Sequence, residues 1–189
     1  DVVLLKQAGT FTSPNVGSAV SVLVNDTISG ASAGNYTLIQ PTGLAGNITP
    51  LALTLTTATN FNKTYDTTTS AVAPTITSST SLPSGQVINF SGSASYASAN
   101  VVCSATCDGA NATSQTVNIS GIRAVAGNSS TLLSNYTFAT SGLTSTGTIS
   151  PATITVSSIT APAKTYGQAA SVPVINYAGL LGSDTTTFT

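Results

Sequence analysis

The groups able to do chemistry in this chain are few, and the most reactive are two cysteines, Cys103 and Cys107, four residues apart. In an oxidising compartment such a pair, in a loop with Asp108-Gly109, closes a small local disulfide. So short a ring removes little unfolded-chain entropy, and its expected role is to pin an exposed hairpin against fraying. A redox-active pair calls for Cys-x-x-Cys with a helix behind it; the spacing differs and no helical stripe follows. The chain of 189 residues has no histidine, which removes histidine-based triads and, with only two cysteines, a tetrahedral zinc site. Its acids, Asp1, Asp26, Asp66, Asp108 and Asp184, are isolated. They form neither a paired-carboxylate acid–base site nor a cluster for calcium. One covalent option is an isopeptide bond, Lys63 or Lys164 attacking a facing asparagine with help from an aspartate. Against it stands the ordinary fate of a strand lysine, its stem on the sheet and its ammonium in water. The expectation is a protein that is not an enzyme and has no cofactor and no metal.

Asn-x-Ser/Thr sequons stand at Asn25, Asn35, Asn47, Asn62, Asn89, Asn111, Asn118, Asn128 and Asn135. Each is a candidate glycosylation site in a secreted chain, although a sequence so rich in Ser and Thr generates many by chance. Charged residues make up only 5% of the chain and the net charge is −1, so neither a nucleic-acid footprint nor a polybasic membrane patch is available. No apolar run approaches the roughly 20 residues that span a bilayer. A surface of Ser, Thr, Asn and Gly suits an extracellular fibre or stalk.

These residues must be positioned by strands. Val20-Ser21-Val22-Leu23-Val24, Leu51-Ala52-Leu53-Thr54-Leu55, Thr116-Val117-Asn118-Ile119 and Thr153-Ile154-Thr155-Val156 are short, β-branched and partly alternating, as half-buried strands are. Gly, Pro, Asn and Asp interrupt them about every ten residues, the spacing of a sandwich or barrel. Ala31 to Gly34 could form one short turn. Pro50 and Pro151 lack an N–H, and each is expected to end a strand and mark a domain junction.

Two blocks recur. Lys63-Thr64-Tyr65-Asp66 returns as Lys164-Thr165-Tyr166-Gly167, 101 residues on, and Asn35-Tyr36-Thr37 returns as Asn135-Tyr136-Thr137, 100 residues on. Asn15-Val16 matches Asn100-Val101, with an aromatic four residues earlier, Phe11 or Tyr96, and Leu5 aligns with Phe90. A fixed period is the signature of a tandem array. The expected domains are residues 1–50, a C-terminal part of one repeat; 51–151, a complete repeat; and 152–189, an N-terminal part of another. The chain then reads as a window from a longer array. Two readings of Tyr36 and Tyr136 stay open: a tyrosine corner of the immunoglobulin-like kind, its hydroxyl on a backbone carbonyl, or an ordinary half-buried strand tyrosine.

The motifs resemble the YDG and MBG repeat domains of bacterial filamentous-haemagglutinin-like surface exoproteins. Lys63-Thr64-Tyr65-Asp66-Thr67-Thr68-Thr69 is similar to the opening of the YDG pattern, with Thr67 where that pattern has glycine. Ala33-Gly34-Asn35-Tyr36-Thr37-Leu38 and Ile48-Thr49-Pro50 resemble its close. The third segment, from Lys164-Thr165-Tyr166-Gly167 to Gly182-Ser183-Asp184, looks like the MBG variant. Residues 1–50 and 51–151 would be YDG-like and 152–189 MBG-like. Threonine at position 67 argues against a turn of positive φ there, because glycine alone adopts that geometry cheaply.

The expected fold is all-β, a tandem array of immunoglobulin-like β-sandwich repeats, with a β-grasp-like or β-solenoid arrangement as the alternative. The resemblance implies a non-enzymatic structural or adhesive module of a large bacterial extracellular surface protein, a stalk or spacer in adhesion or biofilm. The alternative is a self-assembling filament or sheath subunit joined by strand complementation. Expected partners are adjacent repeats or neighbouring copies of the same protein, and a host or cell-surface glycan or protein. The expected location is the bacterial surface or the medium. The repeat-motif residues Tyr36, Lys63, Tyr65, Asp66, Tyr136, Lys164 and Tyr166 are expected to act in the fold and not in catalysis.

Overall fold

The computed structural model describes residues 3–105, 107, 111–169 and 172–185. Among them the fold is all-β and sandwich-like. The strands are β1 (Leu4–Lys6), β2 (Gly9–Phe11), β3 (Gly17–Val24), β4 (Thr27–Ser29), β5 (Ala45–Ile48), β6 (Leu51–Leu53), β7 (Leu55–Thr57) and β8 (Lys63–Thr64). There follow β9 (Ile76–Ser78), β10 (Ile88–Tyr96), β11 (Ser114–Ala126), β12 (Tyr136–Phe138), β13 (Leu143–Ser150), β14 (Thr155–Thr160) and β15 (Val174–Ala178). Two single turns of 3-10 helix, Ala33–Asn35 and Leu133–Asn135, precede the repeated tyrosines. Strands are present where foreseen around Val20 and Thr116, whereas the run 51–55 is broken at Thr54 into β6 and β7, in separate sheets, and the strand foreseen over 153–156 begins only at Thr155. Pro50 lies between β5 and β6, and Pro151 just after β13. No helix of the described residues is long and apolar enough to cross a membrane.

The chain divides into two compact units interleaved in sequence. The first holds Asp1–Thr54, Ser78–Asn89 and Val125–Phe138; the second holds Leu55–Thr77, Phe90–Ala124 and Ala139–Thr189.

In the first unit β3 lies between β2 and β5, antiparallel to both, and β1 pairs with β4. The β3–β5 register shifts between Gly17 and Val20, where Ala19 takes a φ of 51°. A bulge leaves a backbone donor outside the ladder; here Asn47 Oδ1 accepts the Ala19 N–H at 2.9 Å. β6 and β12 pair in parallel, Tyr136 opposite Leu51 and Phe138 opposite Leu53. Leu53, Ile88 and Tyr136 are buried, with Thr131. Thr131 carries a hydroxyl into that core without loss, since its Oγ1 accepts from Val87 N–H at 2.8 Å and donates to Asn128 Oδ1 at 2.7 Å.

In the second unit the strand order is β10-β11-β13-β8. β11 and β13 are antiparallel from Ser114↔Thr148 to Ile119↔Leu143, and β8 joins in parallel, Lys63 opposite Ile149. The alternation at 116–119 is realised as exposed, buried, exposed, buried, placing Val117 and Ile119 inside with Phe61, Tyr96, Ile122 and Ile149. The β7–β9 pair lies against this sheet through Ile76, whose Cδ1 approaches Gly92 so closely that a Cβ there would stand 3.1 Å away. β14 and β15 form a separate antiparallel hairpin, every residue of β14 exposed.

Candidate functional site

The Lys63 block is a self-contained clamp. β8 ends at Thr64, and the chain turns back so that Lys63 Nζ donates to Asp66 Oδ1 at 2.7 Å, Thr68 O at 2.7 Å, Ser70 O at 3.0 Å and Thr68 Oγ1 at 3.2 Å. The ammonium also stands 5.3 Å from the centroid of the Tyr96 ring, a cation–π distance. Its neighbours are a carboxylate and carbonyls, so Lys63 acts as a cation that ties the turn. Asp66 Oδ1 further accepts the Thr68 N–H and hydroxyl, both at 2.9 Å. The Lys63 ammonium first, then the two Thr68 donors, hold the Asp66 carboxyl down to about 2. NMR titration of the Asp66 carboxyl is therefore expected to give a midpoint near 2, returning toward the ordinary 3.8 in Lys63→Met. Because ionisation is favoured in the fold, the clamp is complete above that ordinary value and is lost as pH falls toward 2. An ordinary midpoint in the unmodified chain would rule the clamp out.

The turn closed by this clamp corrects the expectation for Thr67. Its φ is +68°, the left-handed region that a β-branched residue enters only when its surroundings compel it. Here the bonds from Lys63 and Asp66 to Thr68 compel it. Thr67→Gly should raise stability by about 1 kcal/mol, the relief of left-handed strain less the entropy cost of glycine. A urea midpoint that is unchanged or lower would refute that. Tyr65, one residue upstream of Asp66, donates its hydroxyl to Asp184 Oδ2 at 2.9 Å, and this bond, more than burial or charge, raises the phenol above its usual range. In the sequence Asp184 stands only as an isolated acid at the end of the MBG-like segment. In the third block Tyr166 is fully exposed and Gly167 occupies the place of Asp66, so Lys164 has no carboxylate within its own turn.

The Asn-Tyr-Thr blocks have one local conformation. In each, the tyrosine N–H bonds the carbonyl three residues back, and the backbone then extends, at φ −128°, ψ 145° for Tyr36 and φ −131°, ψ 150° for Tyr136. Their burial differs: Tyr136 is 7% exposed and Tyr36 59%. Neither is a tyrosine corner as framed from the sequence. The Tyr136 hydroxyl donates to the side-chain oxygen of Gln86, not to a backbone carbonyl, and the Tyr36 ring lies open.

Beside Tyr136, Asn135 ties its own turn to the Asn15-Val16 corner within the first unit. Its Oδ1 accepts the Val16 N–H at 2.9 Å and its Nδ2 donates to Asn15 Oδ1 at 2.9 Å. Asn135 and Tyr136 thus line one cleft with Val16, Ile48, Thr49 and Leu51, all in the first unit. In the second unit Asn100, Val101, Pro151, Ala152 and Ile154 line a mostly apolar cleft of about 260 Å³ together with Leu180 and Leu181; of these, Val101 and Ala152 stand in the sequence places of Val16 and Leu51. Its one charged group, Asp184, is engaged by Tyr65.

Cys103 and Cys107 are joined by a disulfide, Cα atoms 5.5 Å apart. Cys103 bridges Ala112, and Thr113 N–H bonds Val102 O at 2.7 Å, so the disulfide sits beside the short antiparallel pairing that leads into β11. Asp1 and the Asp108-Gly109 part of that loop lie outside the described residues. Among the sequons, Asn25, Asn35, Asn47, Asn62, Asn89, Asn118 and Asn128 are exposed. Asn128 Nδ2 is committed to Gly85 O at 2.8 Å and Asn135 Nδ2 to Asn15, which disfavours glycosylation at both. Among the described residues no group of three or more His, Cys, Asp or Glu side chains converges on a metal position.

The YDG domain family matches residues 1–43. That segment runs from β1 through the exposed Asn35-Tyr36-Thr37 block, and the match supports a YDG-type domain there. No curated protein and no solved structure matches the chain.

Proposed function

We propose that the chain is a non-enzymatic structural and adhesive repeat module of a large bacterial extracellular surface protein, a stalk or spacer that holds an adhesive tip away from the cell. The observation that carries this reading is that one β arrangement is made twice. β2-β3-β5 and β10-β11-β13 have the same order, and each packs a glycine of its last strand against an aromatic of its first, Gly46 on Phe11 and Gly147 on Tyr96. Side chains able to do chemistry are spent on backbone geometry: Lys63 and Asp66 on a turn, Asn135 on the Asn15-Val16 corner, the cysteines beside the pairing that leads into β11. Such modules stack as quasi-one-dimensional arrays whose neighbours touch through short junctions. A host or cell-surface glycan or protein is then the ligand of the whole adhesin, and neighbouring repeats are the partners of this part. Antibody against residues 51–151 should label intact cells making the full-length protein, and electron microscopy should show extended structures that shorten when 51–151 is deleted. Protein confined to the cell interior, or an unaltered length, would overturn the proposal.

A second reading, self-assembly into a filament joined by strand complementation, is favoured by exposed apolar side chains such as Leu4, Leu5, Ile154 and Ile159.

A further inference from the structure

Two contacts meet on the far side of the clamp turn. Thr67, at its left-handed φ of +68°, lays its side chain against Gly182: a Cβ built there would stand 3.3 Å from Thr67 Cγ2 and 3.9 Å from Thr67 Cβ. Two residues on, Asp184 Oδ2 accepts the Tyr65 hydroxyl at 2.9 Å. Tyr65 and Thr67 thus flank Asp66 and engage one short segment, residues 182–184. That segment is shaped by a turn of its own, Asp184 N–H donating to Leu181 O at 3.1 Å. All of these residues belong to the second unit. A strained β-branched residue that makes such a contact points to a use for the strain.

What the segment carries is the β14–β15 hairpin. β13 ends at Ser150 and β14 begins at Thr155, so residues 151–154 form an elbow between the β10-β11-β13-β8 sheet and a hairpin that is a sheet of its own. On leaving β15 at Ala178 the chain crosses this elbow at once. A Cβ on Gly179 would collide with Thr153 O and stand 3.2 Å from Ile154 Cα. Glycine, here at φ +109°, lets two backbones pass that closely. From the elbow the segment runs on to the clamp turn.

We propose that the clamp turn is a latch for this elbow: Tyr65 and Thr67 grip residues 182–184 and so fix the direction of the β14–β15 hairpin relative to the β10-β11-β13-β8 sheet. Lys63 and Asp66 set the shape of the turn through their bonds to Thr68. Thr67 then supplies an apolar contact and Tyr65 a directional bond to a charged acceptor. With the latch closed, the elbow passes orientation from the sheet to the hairpin; with it open, residues 151–154 are a hinge. The latch belongs to the chain whatever protein carries it. That it stiffens a stalk rests on the structural-repeat reading.

Residual dipolar couplings of backbone amides, measured on the whole chain, test it. In the unmodified chain β14 and β15 should share one alignment tensor with β10, β11 and β13. Tyr65→Phe removes one hydroxyl, and Asp184→Ala changes an exposed side chain. Each should shrink the hairpin's couplings at least about twofold, as the loss of a hydrogen bond to a charged acceptor lets the hinge open. The cross-strand contacts of Val156 with Tyr177 and of Ile159 with Ile175 should persist. Cysteines at 67 and 182 would have their Cβ atoms 3.9 Å apart, within disulfide range. Thr67→Cys with Gly182→Cys, oxidised, should therefore restore the couplings of the Asp184→Ala chain. Separate alignment in the unmodified chain, undiminished couplings in both variants, a hairpin that melts in either, or a loss that the 67–182 pair fails to restore would each overturn the latch. Labelling of the full-length protein on intact cells depends on none of these, so the latch and the structural-repeat reading fall separately.

Discussion

Phe61→Ala will cost the second unit about 3–5 kcal/mol, the range for truncating a fully buried phenylalanine. Phe61 is 1% exposed and among the largest fully buried side chains. It lies just before β8, where its Cβ and carbonyl oxygen come against the backbone of Gly147 on β13. Removing the ring therefore opens a cavity at the join between β8 and β13, and a close-packed backbone contact leaves the site little room to collapse. The melting temperature should fall by roughly 10 °C, taking about 2–4 °C per kcal/mol for a chain of this size. Tyrosine fluorescence and far-ultraviolet circular dichroism in urea are the measurements, since the chain has no tryptophan. Ile39→Ala, at an exposed position, is the control and should stay within about 0.5 kcal/mol of the parent. A loss at position 61 no larger than the control's would mean that Phe61 does not anchor this core.

What the sequence made legible, and what it hid, follows from how local each feature is. β11 could be seen in advance because one face is buried, and Val117 and Ile119 therefore alternate with polar Thr116 and Asn118; a slip of one residue would turn both into water. Pro50 and Pro151 could be placed at strand ends because a missing N–H is a local fact. The 3-10 turns before Tyr36 and Tyr136 take the same backbone path although only the asparagine of each is shared. Partner choice is not local. β8 has two residues and β6 three, too few to show a period, so nothing in them announced parallel pairing with β13 and β12. The burial of Tyr136 against the exposure of Tyr36 depends on Leu51–Leu53 lying beside one and not the other. The positive φ of Thr67 was misjudged from residue type alone, since the bonds that impose it come from Lys63 and Asp66. The Tyr65–Asp184 bond spans 119 residues, and only an isolated aspartate stood in the sequence to mark it.

Gly147→Ala should destabilise the second unit by about 2–3 kcal/mol, whereas the same change one repeat earlier, Gly46→Ala, should stay within about 0.5 kcal/mol. The two glycines occupy matching places in β13 and β5, each facing the aromatic of the first strand. A Cβ on Gly147 would stand 2.7 Å from Phe61 Cβ, 2.8 Å from Phe61 O and 3.0 Å from Tyr96 Oη. Two of those three atoms belong to the backbone or its first carbon, and neither of these can swing aside without moving the segment before β8. A Cβ on Gly46 would stand 3.0 Å from Cε1 and Cζ of Phe11, the far end of a ring that is 43% exposed and free to rotate outward. Alanine gains from the lower chain entropy of its unfolded state at both sites, by about 0.5–1 kcal/mol, which offsets the mild contact at Gly46 but not the backbone collision at Gly147. The difference between the two variants therefore measures how far the segment before β8 locks the β10-β11-β13 sheet, in urea midpoints read on otherwise identical chains. Equal losses at both glycines would show that Phe11 is held as firmly as Tyr96.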